Sequence, residues 1–317
     1  MPRVLMLFLD GVGLGDRDAD RNPFAAASLP NIETLLGGHR MIASSAPIET
    51  DTATLLSVDA CLGIPGAPQS ATGQAALLTG LNVAAMTGQH YGPKPTPKIR
   101  GILENGNLFS QILQRGGTAA FLNAYPPRYF ERIRNGRRIH ATIPYAAEIS
   151  GVRLRTAEDL QAGQALSADL TAEGWVAQPG FPPAPLYTPA EAGKRLAILS
   201  SAYDLAWFDY WLSDIAGHRG SMAQAVALLQ SFDLTLGALI KEWNHCQDLI
   251  VLTSDHGNLE DLSKRGHTLN PVPALLIGPS NLRRPFAKNL TDLTGFAPAI
   301  LRTIFENQDL AESDLAK

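Results

Sequence analysis

Twice in this sequence a short apolar run stops abruptly on a carboxylate that glycine soon follows. Residues 4–9, Val-Leu-Met-Leu-Phe-Leu, lead into Asp10-Gly11-Val12-Gly13, and residues 249–253 lead through Ser254 into Asp255-His256-Gly257-Asn258. Apolar runs of this length bounded by turn residues are the pattern of strands buried on both faces, as in a parallel sheet covered by helices on each side. In open sheets of that kind ligands bind beyond the carboxyl ends of the strands. A carboxylate at that position is either a loop cap or a ligand, and its appearance after two separate strands favours the ligand.

The remaining pattern agrees. Helices are expected near 31–36, 71–78, 222–243 and 296–305, and strands over 3–9, 248–253 and 274–277, so both ends of the chain feed one α/β core, a mostly parallel central sheet flanked by helices. Residues 91–194 differ in character. They open on Gly92-Pro93-Lys94-Pro95-Thr96-Pro97 and close after the proline-rich 179–189, and such clusters mark boundaries. The division expected is therefore a discontinuous core, 1–90 plus 195–317, with a smaller inserted α/β cap at 91–194.

Charge separates the same two parts. Residues 91–195 hold thirteen Lys and Arg against eight Asp and Glu, whereas the rest of the 317-residue chain holds thirteen against twenty-two. A basic insert facing an acidic core suits an anionic substrate between them, with core carboxylates occupied by cations. The overall net charge of -4 is too mild for a nucleic-acid magnet. Residues 4–9 are too short for a signal-peptide core or a membrane span, and Cys61 and Cys246 make neither a disulfide framework nor metal-ligand spacing. A cytoplasmic protein with no nucleic-acid or membrane partner is the expectation; oligomeric state is not legible.

Further candidates extend the acidic pair. Asp214 and His218, four apart, share a face if that segment is helical, and His267 sits in a loop entering another apolar strand. Asp10, Asp214, His218, Asp255, His256 and His267 then provide three carboxylates and three imidazoles, hard oxygen and borderline nitrogen donors suited to zinc or manganese and enough for two ions. Ser70 precedes Ala71-Thr72-Gly73-Gln74 at a helix start. Its plain reading is an N-cap; the functional one is an anion site whose hydroxyl a divalent ion activates as nucleophile. Arg128, Arg132, Arg134, Arg137 and Arg138, packed within 126–140, are read either as substrate-phosphate contacts or as a solvated face.

These segments, in this order, resemble the alkaline phosphatase superfamily, and within it the branch of cofactor-independent phosphoglycerate mutase and phosphopentomutase. The similarity rests on Leu-Asp10-Gly, Ser70-Ala-Thr-Gly-Gln74, Asp214 with His218, Asp255-His256-Gly257-Asn258, and His267-Thr268 followed by Asn270-Pro271-Val272-Pro273. The resemblance implies one metal held by Asp10, Ser70, Asp255 and His256, a second held by Asp214, His218 and His267, and Ser70 as the phosphorylated nucleophile, with Thr72 as its neighbouring alternative. Gln74 stands where the close mutases place His, which puts their exact substrates in doubt. The implied activity is two-metal phosphotransfer on a small phosphorylated metabolite, as phosphomutase or phosphomonoesterase. Two other readings compete: a phosphodiesterase or phosphonate hydrolase on the same scaffold, and a metal-stabilised protein that binds a phosphorylated ligand without turnover.

Overall fold

The computed structural model describes residues 1–244 and 246–306. Seven strands, β1 (Val4–Phe8), β2 (Ile48–Glu49), β3 (Ala53–Val58), β4 (Ala119–Phe121), β5 (Leu205–Asp209), β6 (Leu249–Thr253) and β7 (Val272–Ile277), form one sheet in the order β2-β3-β7-β6-β1-β5-β4. Every residue of β1, β5 and β6 is buried, as expected of central strands lying between two helical layers. Alternation along them divides the core. Val4, Met6, Phe8, Leu205, Trp207, Leu249 and Val251 pack on one face with the helices Ser70–Thr79, Leu108–Gln114 and Phe296–Phe305. Leu5, Leu7, Ala206, Phe208, Ile250 and Leu252 pack on the other with the helices Pro189–Ser200 and Met222–Glu242.

Five of the seven strands run in one direction, and antiparallel pairing is confined to the side of β7, β3 and β2. Strands β6, β1, β5 and β4 run parallel, but β7 runs antiparallel to β6, β3 to β7, and β2 to β3. The cause is the connections: residues 254–271 join β6 to β7 without a crossover helix, and a hairpin joins β2 to β3, so in each case the chain returns beside the strand it left.

Residues 91–194 do not stand apart as an α/β unit. Their strand β4 is the edge of the central sheet beside β5, and the helices Pro97–Glu104, Leu108–Gln114 and Thr142–Ile149 contribute Ile99, Phe109 and Ile143 to the main core. Among the described residues the segment has no sheet of its own, only a small separate cluster of Ala124, Ala157, Leu160, Ala165, Ala172 and Trp175. The last proline of each cluster that suggested a linker begins a helix instead. Pro97 and Pro189 are first-turn residues behind Thr96 and Thr188, whose hydroxyls accept from the backbone N–H of Ile99 and Glu191. Proline suits that position because its missing N–H has no intrahelical partner to lose.

By length and composition the helix Met222–Glu242 is apolar enough to cross a membrane. In this fold its Leu229, Phe232, Leu236 and Leu239 are buried against the sheet. Its buried Asp233 accepts from the backbone N–H groups of Asn31 and Ile32 at the start of the helix Pro30–Leu35.

Candidate functional site

Strand register explains the convergence of carboxylates at one edge. Phe8 of β1 lies abreast of Thr253 of β6 and Asp209 of β5, so Asp10 and Asp255 each stand two residues beyond the same line, with Asp209 at the end of its own strand. Behind the strands the loops are drawn close. Gly11 has φ +68°, and a Cβ there would lie 2.6 Å from Asp214 Oδ1; a Cβ at Gly73 would lie 2.8 Å from the Asp255 carbonyl oxygen. Glycine at these two positions lets the Asp214 helix and the Ser70 helix reach the strand ends.

The helix Ser70–Thr79 begins at Ser70, and Ser70 does not cap it: the capping position belongs to Gln69. The Ser70 hydroxyl is instead 3.0 Å from His256 Nε2. Thr72, fully buried, donates to the Gln69 carbonyl and sits beside the Tyr91 carbonyl, which turns its hydroxyl away from this group.

His256 links two sets of donor atoms. Asp10, Asp255 and His256 bring ligand atoms within 4.8 Å of one another, and so do Asp214, His256 and His267. His256 Nε2 is 3.4 Å from Asp10 Oδ1 and 3.7 Å from Asp255 Oδ1, while His267 Nε2 is 3.9 Å from Asp214 Oδ1. His218 Nε2 lies 3.4 Å from Asp214 Oδ2, on the outer side, and falls within neither set. The His256 and His267 rings stack at 3.6 Å.

All three imidazoles face a backbone carbonyl through Nδ1: His218 that of Arg265 at 3.1 Å, His267 that of Pro68 at 2.6 Å, and His256, at a longer 3.4 Å, that of Gly257. Each carbonyl can only accept, so the proton sits on Nδ1 and the Nε2 lone pair points at the carboxylates. Burial, reinforced by the neighbouring His267, holds His256 well below the ordinary imidazole range, which keeps it neutral and able to donate its lone pair.

The carboxylates show the opposite stress. Burial and the adjacent Asp255 push Asp10 well up, and burial with the charge of Asp214 pushes Asp255 up to about 7. Asp10 Oδ1 and both carboxylate oxygens of Asp255 are buried without a hydrogen-bond donor. Unsatisfied acceptors packed this densely are costly unless cations sit among them, so the donor set fits divalent metal ions.

Surrounding residues fix these groups in place. Asn258 donates to Asp214 Oδ1 at 2.7 Å, and the Ser213 hydroxyl donates to the Asp10 carbonyl at 2.6 Å. Buried Glu260 accepts from the Gly13 and Asn258 backbone N–H groups, from the Asn270 amide and from the Thr268 hydroxyl. One carboxylate thereby ties the loop after β1 to the two loops around His256 and His267.

Beside this edge opens a cavity of about 770 Å³, lined by Asp10, Ser70 and Asp214 and roofed by residues from 93–181. Of the five arginines singled out from sequence, Arg128, Arg132 and Arg138 line it. Arg134 lies on another face of the helix Pro127–Arg134 and borders a separate depression with Glu131 and Glu158, and Arg137 lines neither. Residues 128 and 132 are four apart and share a face; 134 does not.

Two cavity residues, Lys94 and Asp209, escaped the sequence reading of ligands and contacts, and a third, Gln74, entered it only as a departure from the mutases. Gln74 presents a buried Oε1 with no donor. Lys94 is pulled down to about 8 by burial and the nearby Arg138, with Asp209 opposing. Asp209 is pushed up to about 8 by burial and the charge of Asp255. Its backbone is clamped by Asn123, which accepts from its N–H and donates to its carbonyl at 2.8 Å each. The available signal was a third apolar strand, β5, ending on a carboxylate.

Known proteins bear on this arrangement. Residues 191–306 match the model of the Metalloenzyme superfamily. The chain is 32% identical over 113 residues to 2,3-bisphosphoglycerate-independent phosphoglycerate mutase of Rhodopseudomonas palustris, a match covering 33% of this chain and 21% of that protein. It is 30% identical over 125 residues to the enzyme of that name from Thermomicrobium roseum, covering 37% and 24%. The match thus spans less than a quarter of those relatives' length. In fold the chain is similar to alkaline phosphatase from the Antarctic bacterium TAB5, with a TM-score of 0.53, 13% identity and coverage of 95% and 97% of the two chains. Over 191–306 the chain is thus similar to the Metalloenzyme superfamily, and over nearly its whole length its fold is similar to that of an alkaline phosphatase.

Proposed function

We propose that this protein is a two-metal phosphotransfer enzyme that acts on a small phosphorylated metabolite through a phosphoserine at Ser70. The observation that carries the reading is the Ser70 hydroxyl. It leads a helix without capping it, meets His256 Nε2 at 3.0 Å, and faces the cavity beside donor-free buried carboxylates. Asp10, Ser70, Asp255 and His256 would hold one ion, and Asp214 and His267 the other, joined by His218, which lies outside both close donor sets but 3.4 Å from Asp214 Oδ2; His256 is placed to serve between the two sets, and manganese and zinc both suit these donors. When bound, the ions supply Lewis acidity, lowering the Ser70 hydroxyl pKa and offsetting charge on the phosphoryl oxygens.

The chain's own groups then do the following. Lys94, Arg128 and Arg138 draw the phosphoryl group into the cavity and neutralise its charge. Ser70 oxygen attacks phosphorus in line, the bond from phosphorus to the ester oxygen breaks, and the alcohol departs with a proton. The positive end of the helix Ser70–Thr79 favours the resulting phosphoserine dianion. Transfer of that phosphoryl to water makes a phosphatase, and return to another hydroxyl makes a mutase. Residues 93–181 act in this reading as the cap that governs water entry.

Phosphorus NMR of the manganese-loaded protein with a panel of sugar phosphates, phosphoglycerates and aryl and nucleoside monophosphates tests the proposal. A growing inorganic phosphate peak indicates hydrolysis, and a new ester without free phosphate indicates mutase action; in either case Ser70→Ala removes the phosphoenzyme while leaving metal uptake largely intact. An unchanged spectrum with two metals bound and no phosphoserine in the wild-type protein overturns it.

A further inference from the structure

The cavity wall that remains after the cations and carboxylates are assigned carries three amides, Gln74, Asn123 and Gln178, and an extensive apolar and aromatic stretch. Trp211 and Ile215 lie four residues apart at the start of the helix Leu212–Arg219, on the element that carries Asp214, so they share a face. Both line the cavity, and they are 38% and 45% exposed. Apolar side chains of this size left open beside a charged site mark a binding surface rather than a core. Trp175 and Phe181 supply a second aromatic stretch of the lining, their rings 5.0 Å apart and edge-on, with the Trp175 indole N–H fixed on the Pro182 carbonyl at 2.8 Å.

Size and polarity both argue against a short hydroxy acid as the esterified group. A cavity of about 770 Å³ falls in the range of roughly 300–1,000 Å³ that suits drug-sized ligands. A three-carbon acid or a sugar could place hydroxyls on Gln74, Asn123 or Gln178, but it would leave the apolar wall of Trp211, Ile215, Trp175 and Phe181 largely unused. A flat ring stacked on indole uses that wall fully.

We propose that the phosphate taken by this site is esterified to a group bearing a planar aromatic ring, an aryl or nucleoside-type phosphomonoester, with the ring against Trp211 and the phosphate at Ser70. The inference deepens the phosphotransfer reading and rests on it. In the reaction the ring-bearing alcohol is the leaving group, so one phosphorus–oxygen bond breaks as the Ser70 ester forms.

Calorimetric titration of the manganese-loaded protein with phenylphosphonate, methylphosphonate and inorganic phosphate tests it without turnover. Phenylphosphonate should bind about tenfold more tightly than methylphosphonate, the scale of one good ring contact. Trp211→Ala should erase most of that preference while inorganic phosphate binds as before, and Trp211→Phe should retain it. On the Ser70→Ala background, a nucleoside 5′-monophosphate binding more tightly than phenylphosphonate assigns the ring to a nucleoside, and the reverse order assigns a simple aryl ester. Equal affinity for the phenyl and methyl compounds, or a phenyl preference that survives both Trp211→Ala and Ile215→Ala, overturns the inference while leaving phosphotransfer standing. Failure of all three anions to bind overturns phosphotransfer and this inference together.

Discussion

Asp209 offers the sharpest test of the site's electrostatics. Its carboxyl is buried at the end of β5 and pushed up to about 8 by burial and by Asp255, and its Oδ1 has no donor. In the unfolded chain the same group titrates near its ordinary value of about 4. A carboxyl whose pKa is raised on folding stabilises the protonated fold at low pH, and that contribution is lost as pH climbs from the unfolded value through the folded one. Between pH 5 and 8 the unfolded state is ionised while the folded state still holds its proton, so metal-free protein should lose about 1.4 kcal/mol per pH unit, or about 4 kcal/mol in all, from this group. Asp209→Asn removes the titration and leaves the backbone clamp to Asn123 in place. Urea unfolding of chelator-treated protein, followed by tryptophan fluorescence at pH 5, 6, 7 and 8, reads the difference. Wild type and Asp209→Asn should be close at pH 5 and diverge by about 4 kcal/mol at pH 8, with the variant the more stable. Parallel pH profiles for the two proteins would refute the assignment of a charge-strained Asp209.

Three further outcomes follow from the same geometry. Chelation should lower the melting temperature more at pH 8 than at pH 6, because the buried Asp255, pushed up to about 7, is ionised and without its cation only at the higher pH; equal losses measured by differential scanning fluorimetry would contradict this. Glu260→Gln replaces two acceptor oxygens that serve four donors by one acceptor and one donor, so metal affinity should fall about 10–100-fold with the fold retained, as measured by competition with a chromophoric chelator. Gly73→Ala would place a methyl 2.8 Å from the Asp255 carbonyl oxygen. It should destabilise by about 1–3 kcal/mol in urea titration and disturb metal uptake, whereas Gly101→Ala, which meets no atom within 4 Å, should do neither.

What sequence patterning carried was local. Short apolar runs ending on carboxylates announce buried strands with groups at their mouths, because a strand covered on both faces can expose polarity only beyond its end, and β1 and β6 lie where those runs lie. The same logic applied to residues 205–209 would have found Asp209, but Tyr210-Trp211 follows it where Gly follows the others, so the turn signal was missing. Proline clusters misled for a related reason. Proline reports only that its φ is set and its N–H absent, conditions met equally by a linker and by the first turn of a helix, and Pro97 and Pro189 take the second course.

Sequence by itself therefore determined which residue types were available, and in what order along the strands and loops they came: Asp10, Ser70, Asp214, His218, Asp255, His256 and His267. Tertiary structure alone decided how they meet. Strand register set Asp10 and Asp255 abreast, two glycines let helices approach the strand ends, and carbonyls distant in sequence chose which nitrogen of His218 and His267 is free. It also decided which charges face the cavity: Lys94, from a stretch that read as a linker, lines it, while Arg134, from a stretch that read as a contact, does not. Those outcomes depend on distances between residues far apart in the chain, 245 positions for Phe8 and Thr253 and 199 for His267 on the Pro68 carbonyl, and no local pattern encodes them.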